Sequence, residues 1–315
     1  VTVPAEYVVT SPIAYIPDNN FRMAINEALG QPSDYQPTIA DLNGLTGALY
    51  AQWRYIDSIE GAQYLTNLDS LYLFNNQISD LSPLSVLTNL QGLYLDSNQI
   101  YDLSPLVDLT NLQWLDIGYN YISNLSPLEG LTTLIMLDLN GNQISELIPI
   151  AELVNLQGLY LNHNQISDLS PLAELTNLKE LDLGYNQISD LSPLTGLIYL
   201  QVLQLDNNQI SDLSPLAGLA NLQNLYLNNN QISDLNPLVE LTNLQDLYLQ
   251  QNHISDISPL AGLTNLQLLY LDGNPISYES MLLSQSWSLP WSTTSYNSLS
   301  PCYPVPNRNA VNVST

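Results

Sequence analysis

The side chains best suited to chemistry in this 315-residue sequence are few, and their spacing keeps them apart. There are two histidines, His163 and His253, and one cysteine, Cys302. A hydrolytic triad or a zinc site needs such groups within hydrogen-bonding or ligating reach of one another. The histidines fall in different repeat units (below), on the order of 20 Å apart by strand spacing. Cys302 lies in the tail with no nearby histidine to activate it. No glycine-rich phosphate loop and no zinc spacing occurs. Carboxylates are more promising, because Asp116, Asp138 and Asp182 occupy one position of the repeat and the first two belong to consecutive units. Glycosidase chemistry needs opposed acids in a cleft, and a pair on an open sheet is expected to be too exposed to shift its pKa far. Calcium takes about six to eight oxygens, more than two carboxylates supply. The sequence therefore predicts no enzyme, no catalytic residue, no metal site and no cofactor, with adventitious Ca²⁺ on the acidic surface at most.

Charge narrows the partners. Thirty acidic residues against four basic ones give a net charge of −26. The basic residues Arg22, Arg54, Lys179 and Arg308 form no patch, whereas a nucleic acid needs clustered cations to displace its counterions. A basic protein surface remains compatible. No apolar run reaches the ~18 residues of a membrane span, so no direct membrane insertion is expected. The chain begins at Val1 with no visible signal peptide, as expected of a processed or trimmed polypeptide. One cysteine excludes a disulfide framework within the chain.

The elements that must position any site come from a repeat. The stretch "NQISDLSPL" occurs at Asn76–Leu84 and again, unchanged, at Asn164–Leu172, Asn186–Leu194 and Asn208–Leu216. Aligned on "LTNL", ten units of 22 residues run from Leu65 to the unit that starts at Leu263, preceded by a degenerate one holding Leu49, Ala51, Ile56 and Ile59. A fixed period in the twenties implies a solenoid whose coils bury apolar residues only by stacking on each other. Within "LKELDLGYNQI", Leu181 and Leu183 keep the strand period with Glu180 and Asp182 on the opposite face. Leu178, Ile188, Leu191 and Leu194 complete the interior. The recurring asparagine (Asn76, Asn98, Asn120 and onwards) is expected to bond backbone groups of its own and the adjacent turn. "SPL" predicts a helical turn, 3₁₀ in so short a space, with Ser as N-cap and Pro at the first position. An acidic column at the corner (Asp80, Asp102, Glu146, Asp168, Asp190, Asp212, Asp234, Asp256) is expected to bond the local turn backbone.

L-x-x-L-x-L-x-x-N-x-I in a 22-residue unit is the leucine-rich repeat pattern, and "NQISDLSPL" resembles the unit of bacterial internalins. "IPDNNFRMAINEALGQP" resembles the helical cap that precedes internalin repeats, with Asp18 or Asn19 to start a helix and Gly30 to end it. "TIADL" places Thr38 and Asp41 at capping-box spacing. The resemblance spans roughly residues 15–280 and implies an α/β fold. That fold is a right-handed solenoid with a concave parallel β-sheet, convex 3₁₀ or short helical turns and an α-helical N-terminal cap. It further implies adhesion or protein recognition by a secreted or cell-surface bacterial protein. Internalins commonly carry many lysines in the repeats, which are nearly missing here, and no receptor-binding pattern of known internalins is matched. The expected layout is an arm and cap over residues 1–42, the solenoid over 43–278, a C-terminal cap over 279–300, and over 301–315 a linker or the start of an immunoglobulin-like domain.

Outward strand positions escape core constraint and carry the functional signal. The column between the strand leucines reads Tyr72, Tyr94, Asp116, Asp138, Tyr160, Asp182, Gln204, Tyr226, Tyr248, Tyr270. Trp114, Tyr119, Tyr121 and Met136 are expected to form an apolar patch flanked by Asp116, Asp138, Tyr160, Glu180, Asp182 and Tyr185. Gly118, Gly141, Gly158 and Gly184 are expected to leave room beside them. An exposed Trp and Met gain nothing from facing water, so these ten residues are the candidate ligand-binding set. The expected function is recognition of a protein partner by a monomer. A glycan bound on the same aromatics and a purely structural or designed spacer are the alternatives.

Overall fold

The computed structural model describes residues 11–280. The expected C-terminal cap beyond Ser280 and the linker lie outside the described residues. An α-helix, α1 (Asn19–Ala28), starts where Asp18 accepts from the Asn20 and Phe21 N–H groups at 2.8 and 2.9 Å. It ends at Gly30, whose φ of +65° suits glycine at a helix C-terminus. Phe21 and Ile25 are fully buried, so α1 closes one end of the leucine interior. The second helix, α2 (Ile39–Gly44), carries the reciprocal Thr38–Asp41 capping box. The other Asp18 oxygen accepts from the Asp57 N–H at 2.9 Å, and Arg54 pairs with Glu27, tying α1 to the first coil.

Eleven strands follow in chain order and form one parallel sheet without a crossover: β1 (Gly47–Tyr50), β2 (Leu68–Tyr72), β3 (Gly92–Tyr94), β4 (Trp114–Asp116), β5 (Met136–Asp138), β6 (Gly158–Tyr160), β7 (Glu180–Asp182), β8 (Val202–Gln204), β9 (Asn224–Tyr226), β10 (Asp246–Tyr248) and β11 (Leu268–Tyr270). From β2 to β11 the register is the repeat itself, as in Leu115↔Leu137 and Leu159↔Leu181. Only between β1 and β2 does it slip, in the degenerate unit. Leu178, Leu181, Leu183, Ile188, Leu191 and Leu194 are all buried, and the corresponding residues of the coils from Leu68 to Leu260 repeat the layer, while Leu271 and Ile276 of the last described coil are partly buried. Each fully buried Leu or Ile contributes about 1.5–3 kcal/mol of transfer free energy. Because the layers touch, they form a single apolar column.

The interior asparagines bond across coils as expected. Asn186 Nδ2 donates to Leu183 O in its own turn and to Leu161 O in the preceding one, while its Oδ1 accepts from Ile166 N–H at 2.9 Å. The convex corner departs from the sequence reading in one respect. Ser is not the N-cap: the 3₁₀ turn begins at Ser82 itself, and the residue before it, Leu81, offers no side-chain cap. The acceptor is Asp80, which takes the Ser82 N–H at 2.8 Å, and the pattern recurs at Asp102, Asp168, Asp190, Asp212, Asp234 and Asp256. A carboxylate two residues upstream reaches the orphan N–H without distorting the turn; serine inside the turn cannot.

Candidate binding surface on the concave face

Two rows of side chains stand on the sheet. The strand row is set by alternation: leucines point inward, so Trp114 and Asp116 of β4 point out together. In β5 the same positions are Met136 and Asp138, and pairing places Trp114 beside Met136 and Asp116 beside Asp138. Trp114 and Met136 are 36% and 37% exposed, so two large apolar side chains meet solvent side by side on this face. On the next strands Tyr160 donates its hydroxyl proton to Glu180 Oε2 at 2.5 Å, and Asp182 is buried. Trp114, Asp116, Met136, Asp138, Tyr160, Glu180 and Asp182 thus form one continuous strip.

Beyond the strands lies a rim row. At a fixed point of the repeat the backbone enters the left-handed region, with positive φ at Trp53, Asn75, Ser97, Tyr119, His163, Tyr185, Asn207, Asn229 and Gln251, and glycine at Gly141 and Gly273. The kink aims each N–H at the next coil, as when Tyr119 N–H donates to Asn140 O and Tyr185 N–H to Asp206 O. Left-handed backbone costs a residue with a Cβ about 1–2 kcal/mol, so aromatics here are held against local preference. Tyr119 and Tyr185 belong to this row. Tyr185 stacks on His163 with ring centroids 4.0 Å apart. Tyr121 departs from the predicted patch. It follows the buried Asn120, and its N–H bonds Ile100 O, so it stands past the corner rather than beside Trp114.

Two expectations are overturned. The glycines leave no free room, since a Cβ on Gly141 would lie 2.5 Å from the Tyr119 ring, one on Gly118 3.0 Å from Asp138 Oδ1, one on Gly158 3.3 Å from Met136 Cε and one on Gly184 2.6 Å from Asn162 Nδ2. Neighbouring side chains fold over the bare backbone and fill it. Nor are the carboxylates too open to be perturbed. Burial pushes Asp116 up to about 7, with the charges of Asp138 and Asp96 adding to the effect and the Gly118 N–H opposing it. Burial likewise raises Asp138 to about 6, against the N–H of Asn140 and with the charges of Asp96 and Asp182. Asp182 also rises through burial, opposed by the Gly184 N–H and the Asn162 amide. Strand pairing sets the two acids between Tyr94 and Tyr160, and the trough between those larger side chains strips water from the acids.

The arrangement can hold an apolar side chain and a cation side by side. Among the described residues, no group of three His, Cys, Asp or Glu side chains converges closely enough to hold a metal ion. His163 lies against Tyr185, whereas the N–H of His253 bonds Ile232 O four coils later. To either side of the strip the tyrosines stack: Tyr72 on Tyr94 at 4.4 Å, and Tyr226 on Tyr248 at 4.5 Å. Sequence reasoning did not identify the left-handed row, although its frequent Asn and Gly were a signal. It also passed over the "LTNL" asparagines, which bond the preceding coil, as Asn177 Nδ2 does to Val154 O at 2.8 Å.

The family profile "Leucine Rich repeats (2 copies)" matches residues 66–108, 110–152, 154–196, 200–240 and 242–281. The chain belongs to the leucine-rich repeat family. Within it the chain is internalin-like: it is 36% identical to internalin inlF from Listeria monocytogenes, with a TM-score of 0.79 over 90% of this chain and 92% of that one. Internalin C2 of the same organism is 43% identical over 72% of this chain and 91% of its own, with a TM-score of 0.56. A leucine-rich repeat protein of Leptospira interrogans, LIC12759, is 27% identical with a TM-score of 0.55 and covers 73% of each chain. A comparison with curated protein sequences returned no match. This fold is typical of protein-interaction modules. No helix among the described residues is long and apolar enough to cross a membrane.

Proposed function

We propose that this leucine-rich repeat chain is a non-enzymatic recognition module of a secreted or surface-attached bacterial protein, and that it binds a partner protein through the concave strip of β4–β7. One observation carries the reading: Trp114 and Met136 stand adjacent and exposed at a strand position where most other coils place Ser, Gly, Asn or acidic residues. Large apolar side chains flanked by polar ones are the usual anchors of protein interfaces, and truncating such an anchor costs about 2 kcal/mol or more of binding. Tyr119 and Tyr185 support it as aromatics that stand exposed on the adjoining rim row, at a position where most other coils carry Asn, Ser or Gly.

The test is capture of partners from a displayed library of extracellular protein domains by the wild type and by a Trp114→Ala, Met136→Ala double variant. A control variant, Val107→Ala with Ile148→Ala, removes exposed apolar groups from the convex side. Binding should fall more than about tenfold in the concave variant alone. A partner retained at full strength by a concave variant of unchanged melting temperature overturns the reading. Capture of glycans in place of proteins, lost with the same two side chains, would replace the proposed partner with a carbohydrate.

A further inference from the structure

Trp114, Asp116, Met136 and Asp138 form a two-by-two array: each apolar residue neighbours the other across paired strands, and each carboxylate stands two residues further along its strand. Strand spacing sets the sides of that array at roughly 4.8 Å across and 6.6 Å along. Asp138 Oδ1 and Asp116 Oδ1 both lie within 4 Å of where a Cβ on Gly118 would sit, at 3.0 and 3.6 Å, so the two carboxylates converge over bare backbone. Each accepts one backbone N–H, from Gly118 at 3.2 Å and from Asn140 at 2.9 Å, and Asp138 also accepts from the Asn140 amide at 3.3 Å, which does not exhaust the lone pairs of either.

No cation among the described residues is placed to neutralise them. Of the basic residues described, Arg22 bonds Ile16 O and Asn19, Arg54 pairs with Glu27, and Lys179 donates to Gln157 Oε1 at 2.9 Å. The groups that do face the pair are Asp96, Asp182, Tyr94 and Tyr160, with Glu180 held by Tyr160, and Asp206 and His163 beside Asp182. All but His163 are acidic or neutral. A half-buried carboxylate pair without a counter-ion is costly unless something cationic covers it, and an exposed Trp and Met line the way in.

We propose that the partner segment seated here is basic, and that one Lys or Arg of it lays its aliphatic stem against Trp114 and Met136 and ends its charged head on Asp116 and Asp138. This rests on the concave strip being the recognition surface and adds the chemistry of what it recognises. The Trp114 ring gives the stem an apolar wall and the cation a π face. Charge complementarity follows from the whole chain, at −26, as well as from the pair. Because burial keeps the pair partly protonated near neutrality, a cation arriving there displaces a proton to solvent, and binding strengthens as pH rises.

The probe is hexaarginine, with hexaasparagine as the uncharged counterpart, titrated calorimetrically into the full chain. Any polyanion attracts a polycation, so the comparison is between two variants of equal charge. Asp116→Asn with Asp138→Asn empties the trough; Asp168→Asn with Asp190→Asn removes the same charge from the convex corner, where Asn keeps the turn bond as Asn124 already does. The first variant should weaken hexaarginine about tenfold or more, the second at most about threefold. Wild-type affinity should fall about tenfold between pH 7.5 and 5.5, and this dependence should vanish in the trough variant. Equal weakening by both variants, or wild-type affinity that does not change with pH, overturns the proposal. If library partners still require Trp114 and Met136 in that event, the recognition surface stands and only its cation preference falls.

Discussion

Asn186 offers a direct measure of what holds one coil to the next. Its Nδ2 donates to Leu161 O at 3.0 Å, Leu183 O at 3.1 Å and Gly184 O at 3.0 Å, and its Oδ1 accepts from Ile166 N–H at 2.9 Å. Truncation to Ala does not strand these groups equally. Leu161 O keeps the Asn164 amide at 3.0 Å and Leu183 O keeps the Asn208 amide at 2.9 Å, because each leucine carbonyl is shared by two successive asparagines. Gly184 O keeps the His163 N–H. The Ile166 N–H has no second acceptor among the described residues. One stranded N–H costs about 1–3 kcal/mol and each of the amide's two redundant N–H bonds about 0.5–1.5 kcal/mol, so Asn186→Ala should destabilise the solenoid by about 2–6 kcal/mol. Asn177→Ala removes an exposed bond that water can replace, and should cost under about 1 kcal/mol. Urea unfolding followed by far-ultraviolet circular dichroism measures both, with slopes compared because long repeat arrays can lose two-state behaviour. If Asn186→Ala costs no more than Asn177→Ala, the interior ladder is not the stabilising device argued here.

Three further outcomes follow from the geometry. Asp116 and Asp138 titrate at about 7 and about 6 when folded, above the ordinary 3.8, so the folded chain holds protons that the unfolded chain has lost. Stability should therefore fall as pH rises from about 4 to about 7 and then level off. Asp102, Asp168, Asp190, Asp212 and Asp256 sit below the ordinary value through their bonds to serine, so their contribution is present above about pH 4 and lost on further acidification. The urea midpoint should peak near pH 4, and Asp116→Asn should flatten the limb above it; a wild-type midpoint that climbs from pH 5 to 8 contradicts this. Gly141→Ala adds a Cβ at φ +62°, 2.5 Å from the Tyr119 ring, and should cost about 1–2 kcal/mol. Combination with Tyr119→Ala should recover at least about 0.5 kcal/mol as coupling between contacting sites, measured in the same urea assay. Asp190→Ala frees the Ser192 N–H and should cost about 0.5–2 kcal/mol, whereas Asp190→Asn should be near neutral, read from thermal melts of the two variants.

The solenoid was legible because its signal is redundant. Ten copies of one apolar spacing leave a single way to bury Leu181, Leu183 and Ile188 together, and the asparagine between them has only backbone to bond. The strand register followed from the same copies, so the pairing of Trp114 with Met136 could be read off before any coordinates. The depth of Asp116 could not. A residue's solvent access depends on what its neighbours' side chains do after the backbone is set: the repeat placed Tyr94 and Tyr160 beside the acid pair, but how far they cover it has no expression in spacing. The same reason explains the glycines, whose vacated space the Tyr119 ring and the Asp138 carboxylate occupy. It also explains the cap that moved from Ser82 to Asp80, where two side chains of similar propensity compete and only the turn geometry chooses.

By itself the sequence determined the period, the interior, the parallel sheet and the set of side chains that must face outward, because burial of a repeated apolar pattern admits one stacking. Only the tertiary structure decided how those outward side chains share space: which aromatics stand on left-handed backbone, which glycines are covered, and which carboxylates lose their water. Those outcomes depend on contacts between residues about 20 or more positions apart, as between Tyr119 and Gly141, and local sequence carries no record of them.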